Sequence, residues 1–467
     1  MENVESTDGI FCKLFLILRF ESLKDLDQSF EKLGSKLTVF RGNPKEIFEM
    51  LFSSKKVKNL FYEKDTEPYA KTRDKIVSDL CSKNNIQIHS FLGHTLYDPE
   101  DIIKNNGGKA PLQYSKLQTI IKKLPKIQEC VRDPSKSEII PFKDIDGLLK
   151  LMKYKGDITI PCINELNHKN ENNYEKPTAL IKGGETEALK IMKEYLKDKK
   201  KAANFEKPKT SPVAFNPVST TTLSPFLKFG CLSVRKFYFE LNNILKEIPN
   251  HSQPPCSLLG QLYWREFFYC ASVGVPNFNK MEGNPICKQI DWLLNNPNDE
   301  DEKGKKYLNA WSEGMTGYPW IDAIMKQLRQ EGWIHHLARH CVACFLTRGD
   351  LYVNWERGME VFEELLLDAD YALNAGNWLW LSGTSSFFSA YFRMYSPVAF
   401  PKKYDPDGKY VRKYLPVLKD MPKEFIYEPW KAPKSVQEKV GCVIGIDYPE
   451  RIVDHDVKNN FYLNLGN

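Results

Sequence analysis

Short apolar runs and helical stretches alternate between residues 37 and 91, and this alternation constrains the fold more than any other feature. Three runs have the β-branched and aromatic residues typical of short strands: Leu37–Phe40, Leu60–Tyr62 and Ile86–Phe91. Between them, Asn43 and Pro44 suit the cap and first turn of a helix, and Lys71–Cys81 has helical periodicity. Because parallel strands need helical crossovers, the pattern predicts an open α/β sheet.

A second, larger part of the chain has helical periodicity. Helical periods dominate from Gly183 to the C-terminus, with interruptions at Pro254–Pro255, Gly274–Pro276 and Gly317–Pro319. Between the two parts, periodicity is lost and Lys, Asn, Pro and Asp accumulate, most of all in Asn167–Asn173. We therefore predict an α/β domain over residues 1–115, an interdomain connector over 116–182 and an all-α domain over 183–467.

Composition places the chain among soluble globular proteins, with 42% hydrophobic and 12% aromatic residues. Its formal charge of +6 does not by itself predict a nucleic-acid partner. The apolar run Ile10–Phe20 follows an acidic stretch and is interrupted by Lys13 and Arg19. It lacks the basic start and cleavage site of a signal peptide and is shorter than a membrane span of roughly twenty residues. We predict a strand or a buried helix start.

Eleven cysteines are scattered along the chain, an odd number that does not indicate a disulfide framework. A chain of this length needs no such framework, and we expect a reducing compartment. Cys341 and Cys344 form a C-x-x-C pair inside an apolar helical stretch, but no second pair stands at zinc-site spacing. We favour packing in the core, with metal or redox chemistry as the alternative.

Trp333–His340 reads W-I-H-H-L-A-R-H and contains three of the eight histidines of the chain. On a helix, His336 and His340 project from one face about one turn apart, so the pair can share or relay a proton. Zinc binding is an alternative, but no third ligand is evident, and Leu337 stands where zinc proteases have glutamate. Two polar residues satisfied at a helix interface are the other alternative.

Leu367–Trp380 combines two carboxylates, two amides and two indoles in fourteen residues. Such a segment has too many polar groups for a simple core and too many large aromatic residues for a solvated loop. The edge of a buried cofactor accounts for both properties.

Both segments resemble the photolyase/cryptochrome family, and W-I-H-H-L-A-R-H is similar to the form in its animal cryptochrome and (6-4) photolyase branch. Further segments match in the family's order: Thr220–Pro225, Gly260–Phe267 and Thr316–Asp322. The resemblance extends from about Leu23 to the end of the chain. It implies a Rossmann-like α/β N-terminal domain followed by a large all-α FAD-binding domain.

FAD is the cofactor that the resemblance implies. Hydroxyl and N–H groups at a helix start donate to phosphate oxygens, although such a run taken alone is more typical of a helix cap. The resemblance places the FAD phosphates at Thr220, Thr221, Thr222, Leu223 and Ser224. It places further cofactor contacts at Gln261, Arg265, His336, Arg339, Asp368, Ala369, Asp370 and Asn374. Among these, Asn374 would face flavin N5, and Arg339 would supply a cation that Asp368 keeps from being a lone buried charge.

Three tryptophans, Trp378, Trp355 and Trp292, match the family's chain for photoreduction, which carries an electron from the surface to the excited flavin. Tyr352 stands where many animal members have a fourth tryptophan. Without the resemblance, the three indoles would be interpreted as core residues.

The resemblance also implies a substrate site. It places substrate contacts at Gln261, Trp264, Trp380 and Tyr395, with His336 and His340 as the catalytic pair. One function in this branch is light-driven repair of (6-4) pyrimidine–pyrimidone photoproducts in UV-damaged DNA, in which His336 donates a proton. The other is a cryptochrome that senses blue light or represses transcription together with clock proteins. Clock cryptochromes can retain the same histidines, so the pair does not separate the two functions.

Two further segments favour repair. Arg393–Phe400 and Asp447–His455 look more like insect-type (6-4) photolyases, and the chain stops soon afterwards without the long tail of signalling members. We therefore predict a monomeric (6-4) DNA photolyase in the nucleus, with UV-damaged DNA as its partner and no metal or membrane. A cryptochrome is the first alternative, and a truncated product without function is the second.

The N-terminal part departs from the family. No W-F-R-x-x-L-R-x-x-D-N motif precedes Leu23, so we predict an incomplete α/β domain whose first strand is missing and whose sheet edge is exposed. An antenna chromophore in that domain is therefore in question. Tyr371 replaces the usual tryptophan, residues 381–388 are one residue longer than usual, and Pro297–Lys306 is an enlarged charged loop.

Overall fold

The computed structural model describes residues 9–162, 181–215, 217–385, 387 and 394–456. These residues group into two compact units. The first unit contains the described residues of 1–174, 181–206 and 222–274, and the second contains those of 175–180, 207–221 and 275–467. The polar piece Asn167–Asn173, part of the segment 381–388 and Arg393 lie outside the described residues.

Helices and one small sheet form the described part of the first unit. Its helices are α1 (Gly9–Lys32), α2 (Pro44–Ser53), α3 (Pro68–Lys83), α4 (Pro99–Lys104), α5 (Tyr114–Ile121), α6 (Ile145–Met152), α7 (Glu185–Lys197), α8 (Lys199–Ala203), α9 (Ser224–Lys228), α10 (Val234–Glu247) and α11 (Leu258–Gly274). Its strands are β1 (Asn59–Glu63) and β2 (Gln87–Phe91). They pair in parallel, with Asn59 opposite Gln87, and α3 is the crossover between them.

One face of the sheet packs against α2 and α3. Ile88 contacts the apolar cluster of these helices, which includes Phe52 and Leu80. On the other face, Phe61 is 64% exposed, and its ring stacks on His89 with a centroid separation of 4.4 Å. The sheet therefore has one buried face and one open face, as the side-chain alternation of a strand allows.

The structure confirms most of the elements predicted between residues 37 and 91 and corrects one of them. Both helices are present as α2 and α3, and two of the three strands are present as β1 and β2. Asn43 is the N-cap of α2, and its side chain accepts a hydrogen bond from the Lys45 N–H at 2.9 Å. Leu37–Phe40 is not a strand. The Leu37 N–H donates to the Asp27 carboxylate at 2.8 Å and the Val39 N–H to the Ile158 carbonyl at 3.0 Å, so the run does not join a strand ladder.

Two other predictions concern α1 and the connector. Ile10–Phe20 lies within α1, so the helical interpretation of this run is confirmed. The stretch from residue 116, predicted to lack clear periodicity, contains α6 and most of α5. The Asp144 side chain caps α6 by accepting from the Gly147 N–H at 3.0 Å. The predicted domain boundaries at 115 and 182 stay predictions.

The described part of the second unit is helical. Its helices are α12 (Glu302–Glu313), α13 (Pro319–Glu331), α14 (His336–Cys344), α15 (Trp355–Leu365), α16 (Tyr371–Leu381), α17 (Ala399–Tyr404), α18 (Lys409–Tyr414) and α19 (Lys434–Lys439). A π-helical turn, Phe345–Gly349, continues α14. The predicted dominance of helices beyond Gly183 is confirmed for the residues that the structure describes.

A buried carboxylate holds the turn before α13. The side chain of Asp322 accepts hydrogen bonds from the Thr316 and Gly317 N–H groups at 2.8 and 3.0 Å, and from the Tyr448 hydroxyl. Burial raises the pKa of Asp322 to about 6, against the opposing effect of these hydrogen bonds. Gly317 has a φ of 78°, and an added Cβ would collide with the Glu450 carbonyl oxygen. The turn therefore requires glycine.

We predict that Asn43→Ala lowers the free energy of unfolding by about 1 kcal/mol, because it removes the cap acceptor of α2. Urea denaturation followed by circular dichroism measures this change. Glu49→Ala, at an exposed position within the same helix, is the control and should change stability by less than about 0.5 kcal/mol. Equal losses in the two variants would contradict the capping role.

Candidate functional site

The predicted histidine cluster stands at the beginning of α14. His335 is the N-cap, and its Nδ1 accepts a hydrogen bond from the Leu337 N–H at 3.1 Å. Its Nε2 lies 3.4 Å from the Ser219 hydroxyl. His336 and His340 lie one turn apart on the helix, edge to face, with ring centroids 5.9 Å apart. The structure therefore places the two imidazoles side by side on α14.

Tyr395 extends this cluster by one more ring. Its hydroxyl lies 3.1 Å from His340 Nδ1, and the two ring centroids are 5.7 Å apart. At the other end, the rings of His335 and His336 have centroids 4.3 Å apart. These contacts form a continuous row of four rings, and the tautomer of His340 decides whether it donates to Tyr395 or accepts from it.

Burial and neighbouring cations keep these imidazoles neutral. Burial is the largest cause that lowers the pKa of both His335 and His340 to about 3, and it holds the pKa of His336 well below its ordinary value. Lys207 is the second cause for His336 and His340. It belongs to a short 3-10 turn, Lys207–Lys209, far from the cluster in sequence. Sequence reasoning missed Lys207 because no motif marks it.

Arg339 lies on α14 between the two histidines and pairs with Asp368. Its Nη2 is 2.9 Å from Asp368 Oδ2, and its Nε donates to the Ile334 carbonyl at 3.0 Å. Asp368 is 8% exposed, and among the described residues its Oδ1 has no hydrogen-bond partner. The pair therefore leaves one buried carboxylate oxygen available beside a guanidinium.

The next predicted residues lie at the start of α16 and within it. Asp370 is the N-cap, and its Oδ1 accepts from the Leu373 N–H at 3.0 Å. The Ala369 N–H donates to the Leu366 carbonyl at 3.2 Å. Asn374 Nδ2 donates to the Met359 carbonyl at 3.0 Å, which sets the orientation of the amide. Asp370 therefore has a structural role at the helix start in addition to the cofactor contact predicted for it.

The threonine run is divided between the two units. Thr220 and Thr221 belong to the second unit, and Thr222, Leu223 and Ser224 belong to the first. Thr220 Oγ1 is buried and has no hydrogen-bond partner among the described residues. Thr222 has a φ of 53°, a left-handed conformation that is costly for a β-branched residue. Ser224 begins α9. Backbone strain and an unsatisfied hydroxyl are both frequent at ligand-binding sites.

Two predicted residues on α11 of the first unit have defined contacts within that unit. The Gln261 Nε2 donates to the Pro255 carbonyl at 2.9 Å. The Trp264 ring stacks on Tyr114, with centroids 4.3 Å apart. The Tyr114 hydroxyl also donates to the Gly260 carbonyl at 3.2 Å, so α5 holds this turn of α11 in place.

Arg265, one residue further on α11, is 7% exposed. Its Nη1 donates to the His94 carbonyl, and its guanidinium lies over the Tyr269 ring at 4.7 Å. These neutral partners orient the guanidinium without contributing a negative charge.

Trp378 and Trp355 lie on α16 and α15, two helices in contact with each other. Trp378 is 1% exposed and packs edge to face against Phe362 and Trp311. An added Cβ at Gly358 would collide with the Trp378 ring, so this glycine of α15 provides the space for the indole. Burial of this kind suits a core residue and an electron carrier alike.

Trp292 contacts Tyr352, with ring centroids 4.6 Å apart. The Leu293 N–H donates to the Tyr352 carbonyl at 3.0 Å, and the Asn354 N–H donates to the Leu293 carbonyl at 2.9 Å. These bonds hold Trp292 beside the segment that leads into α15. Trp380, predicted to contact the substrate, packs against the ring of Phe387 with a centroid separation of 6.2 Å.

Two buried oxygen atoms of the second unit are available to a polar ligand. Thr220 Oγ1 and Asp368 Oδ1 belong to segments predicted to contact FAD and lack partners among the described residues. A buried polar atom without a partner costs about 1–3 kcal/mol. FAD carries phosphate oxygens that accept from a threonine hydroxyl, and it carries hydroxyl and ring N–H groups that donate to a carboxylate. The residues therefore fit FAD.

Two family matches cover most of these segments. Residues 15–134 match the family described as DNA photolyase, and residues 258–465 match the family described as FAD binding domain of DNA photolyase. The fold and these two family matches define a photolyase-type flavoprotein with FAD as its cofactor.

Known relatives agree with this class. The (6-4)DNA photolyase of Arabidopsis thaliana is 52% identical over 436 residues, which are 93% of this chain and 75% of the relative. Cryptochrome-1 of Erithacus rubecula is 47% identical over 440 residues, 93% of this chain and 67% of the relative. The crystal structure of a Synechocystis cryptochrome has a TM-score of 0.77 at 26% identity, over 97% of this chain and 88% of that chain. The protein belongs to the photolyase/cryptochrome family.

Other features bear on the alternatives raised by the sequence. In the part of the chain that the structure describes, no helix is both long and apolar enough to cross a membrane. Among the same residues, no group of three His, Cys, Asp or Glu side chains could hold a metal ion. Cys341 and Cys344 are buried, and burial raises the pKa of the Cys341 thiol. A buried, protonated thiol is a poor metal ligand, which supports the packing interpretation of this pair.

We predict that His340→Gln makes the protein less sensitive to acid. Because the pKa of His340 is lowered to about 3 in the folded state, the unfolded state binds a proton that the folded state does not, from about pH 6.5 downwards. The stability of the wild type therefore falls as the pH drops through this range, and the variant lacks this contribution. Between about pH 7.5 and pH 5, the free energy of unfolding of the variant should fall by about 1–2 kcal/mol less than that of the wild type, as measured by urea denaturation.

The control is His89→Gln, which removes an imidazole from the sheet of the first unit. Identical losses of stability in His340→Gln and the wild type between about pH 7.5 and pH 5 would mean that His340 is not buried in its neutral form.

Proposed function

We propose that the protein repairs (6-4) photoproducts of DNA in a light-driven reaction. The contact between His336, His340 and Tyr395 supports the proton transfer that this proposal needs, with imidazole centroids 5.9 Å apart and a hydroxyl 3.1 Å from the second imidazole. Because cryptochromes can retain both histidines, the choice of repair rests also on the 52% identity to the (6-4)DNA photolyase of Arabidopsis thaliana. Reversal of this lesion moves a proton as well as an electron. Such a row supplies a proton donor together with a second group that sets its tautomer.

The proposed cofactor site uses Arg339 of the histidine segment, Asp368 and Asn374 of Leu367–Trp380, and the threonine run that contains Thr220. When bound in its reduced form, FAD would supply the electron that light-driven repair requires. Arg339 supplies positive charge for the flavin, and Asp368 at 2.9 Å orients the guanidinium. Thr220 and its neighbours would hold the phosphates, and the neutral amide of Asn374 would serve the flavin ring.

The proposed proton donor must be loaded with a proton when DNA binds. In the free protein, burial and then Lys207 lower the pKa of His336, so the imidazole is neutral. A DNA phosphate brings a negative charge to the site, and an anion raises the pKa of a nearby imidazole. We infer that His336 takes up a proton on DNA binding and donates it to the lesion, while His340 sets its tautomer.

The proposed substrate contacts are those that the family resemblance implies. Photolyases are among the enzymes that extrude their target from the duplex, and a damaged pair costs less to unstack than an intact one. In the second unit, the aromatic side chains of Trp380 and Tyr395 offer surfaces on which an extruded dinucleotide would stack, and the resemblance adds the ring of Trp264 in the first unit. Gln261 offers an amide for hydrogen bonds to its bases.

His336→Ala is expected to reduce the rate of (6-4) repair by about a hundredfold or more with FAD still bound, because general acids contribute roughly 10²–10⁴-fold. His340→Ala is expected to cost less and to shift the pH profile of repair, because His340 acts on the tautomer of His336. Photoreversal of a (6-4) lesion in an oligonucleotide measures the rate, and the flavin absorption spectrum measures the cofactor content.

His89→Ala serves as the control for loss of a histidine elsewhere in the chain. Wild-type repair rates in both His336→Ala and His340→Ala would refute the acid assignment. If the wild type bound (6-4) DNA no better than undamaged DNA, repair would be excluded as the function.

Trp378→Phe is expected to slow light-driven reduction of the flavin by about tenfold or more while leaving repair by chemically pre-reduced enzyme within about twofold of the wild type. The reason is that the tryptophan chain feeds electrons to the flavin and takes no part in the transfer to the lesion. Transient absorption measures the reduction. Trp311→Phe is the matched control, because it makes the same substitution at a buried indole that packs edge to face on Trp378. Equal loss in both assays would show that Trp378 is structural.

A blue-light-sensing or transcription-regulating cryptochrome is the second candidate. The 47% identity to Cryptochrome-1 of Erithacus rubecula, similar to that of the (6-4)DNA photolyase, favours it. Under this function, clock proteins would be the partners. Light would then alter the surface that binds these partners, and no DNA lesion would be repaired. Either function would place the protein in the nucleus. Selective binding of (6-4) DNA separates the two candidates.

A further inference from the structure

The segment 92–98 links β2 to α4, and a single carboxylate of α11 holds it. Glu266 is 1% exposed; its Oε1 lies 3.0 Å from the Leu96 nitrogen, and its Oε2 lies 3.1 Å from the Tyr97 nitrogen. Within the segment, the buried Thr95 hydroxyl donates to the Tyr97 carbonyl at 2.7 Å. Glu266 therefore satisfies two consecutive N–H groups of an irregular segment.

The geometry suits the ionised form of Glu266, because both of its oxygens accept hydrogen bonds. Burial raises the pKa of Glu266 to about 7, and this effect is opposed by Arg265 on the same helix, by the two N–H groups and by Arg235 on α10. The charge of the carboxylate also acts on the Tyr97 hydroxyl and the Cys270 thiol, because it adds to the effect of burial in raising the pKa of each. Its protonation equilibrium therefore lies near neutral pH.

The same segment provides the acceptor for Arg265. The Arg265 Nη1 donates to the His94 carbonyl, and its Nη2 lies 3.4 Å from the Tyr269 hydroxyl. Burial opposes the charged form of His94, but its hydrogen bond to Glu63 at the end of β1 raises its pKa. The carbonyl that holds Arg265 is thus fixed by Glu63 on one side and by Glu266 on the other.

We propose that Glu266 is a positioning residue for Arg265: it holds the segment 92–98 so that the His94 carbonyl fixes the orientation of the guanidinium. The inference rests on the proposed contact between Arg265 and FAD. Glu266 also links the two matched regions of the chain. The segment 92–98 belongs to the region matched by the DNA photolyase family, and α11 belongs to the region matched by the FAD binding domain.

Protonation of Glu266 turns one accepting oxygen into a hydroxyl that faces an N–H group. The segment then loses a hydrogen bond, and Arg265 loses its fixed acceptor. FAD should therefore be released faster as the pH falls through about 7.

The experiment measures FAD release by flavin fluorescence after dilution of the full chain, between about pH 6 and pH 8.5. Glu266→Gln keeps the shape and one acceptor, so at about pH 8 we expect release about tenfold faster than in the wild type, as for one lost charged hydrogen bond. The variant should also lose the pH dependence of release in this range. Hydrogen exchange of the Leu96 and Tyr97 amides, normalised to intrinsic rates, reports whether the segment has loosened.

Glu240→Gln, on the exposed side of α10, is the matched control. Arg265→Gln tests whether Arg265 carries the effect of Glu266 to FAD. Faster hydrogen exchange of the Leu96 and Tyr97 amides in Glu266→Gln with unchanged FAD release would show that Glu266 stabilises the segment without affecting the cofactor, and it would overturn the proposal. Unchanged release in Arg265→Gln would overturn it as well. If Glu266→Gln does not fold, release from the wild type that is independent of pH across this range overturns the proposal without any variant. These readouts do not involve repair, so their failure is distinct from failure of the proposed function.

Discussion

The ion pair between Arg339 and Asp368 is the interaction on which the candidate site depends. Arg339 lies on α14 between His336 and His340, and Asp368 lies two residues before the cap of α16. A buried carboxylate is stable only with a cation or hydrogen-bond donors beside it, so this pair fixes α14 against the start of α16. The two imidazoles and the Asn374 amide take their positions from the helices that the pair holds.

A second contact joins the other ends of the same two helices. The π-helical turn after α14 includes Thr347, with φ −95° and ψ −112°, and its next residue, Arg348, donates from Nε to the carbonyl of Leu381 at 2.8 Å. Leu381 is the last residue of α16. Short π-helical turns are frequent at functional sites. The helix that carries Trp378 is therefore tied to the helix that carries the histidines near both of its ends.

In each unit, a buried carboxylate holds an irregular segment by accepting hydrogen bonds from its backbone N–H groups. Asp322 receives the N–H groups of the turn before α13, and Glu266 receives those of the segment 92–98. In both cases burial raises the pKa of the carboxyl group while the hydrogen bonds oppose that shift. Asp368 differs, because one of its oxygens has no partner among the described residues. The carboxylates of Asp322 and Glu266 are satisfied by hydrogen bonds within the protein, whereas Asp368 keeps one oxygen for the cofactor that is expected there.

The sequence by itself determined the features that depend on neighbouring residues or on a continuous motif. These include the cap of α2 at Asn43, the pairing of imidazoles on α14 and the resemblance that indicated FAD. It predicted a strand at Leu37–Phe40 wrongly, because the acceptors that take its N–H groups come from Asp27 and Ile158. Only the tertiary structure showed that Lys207 acts on the histidines and that Glu266 holds the segment 92–98. Burial and charge act through space, so partners remote in sequence decide them and no local pattern records them.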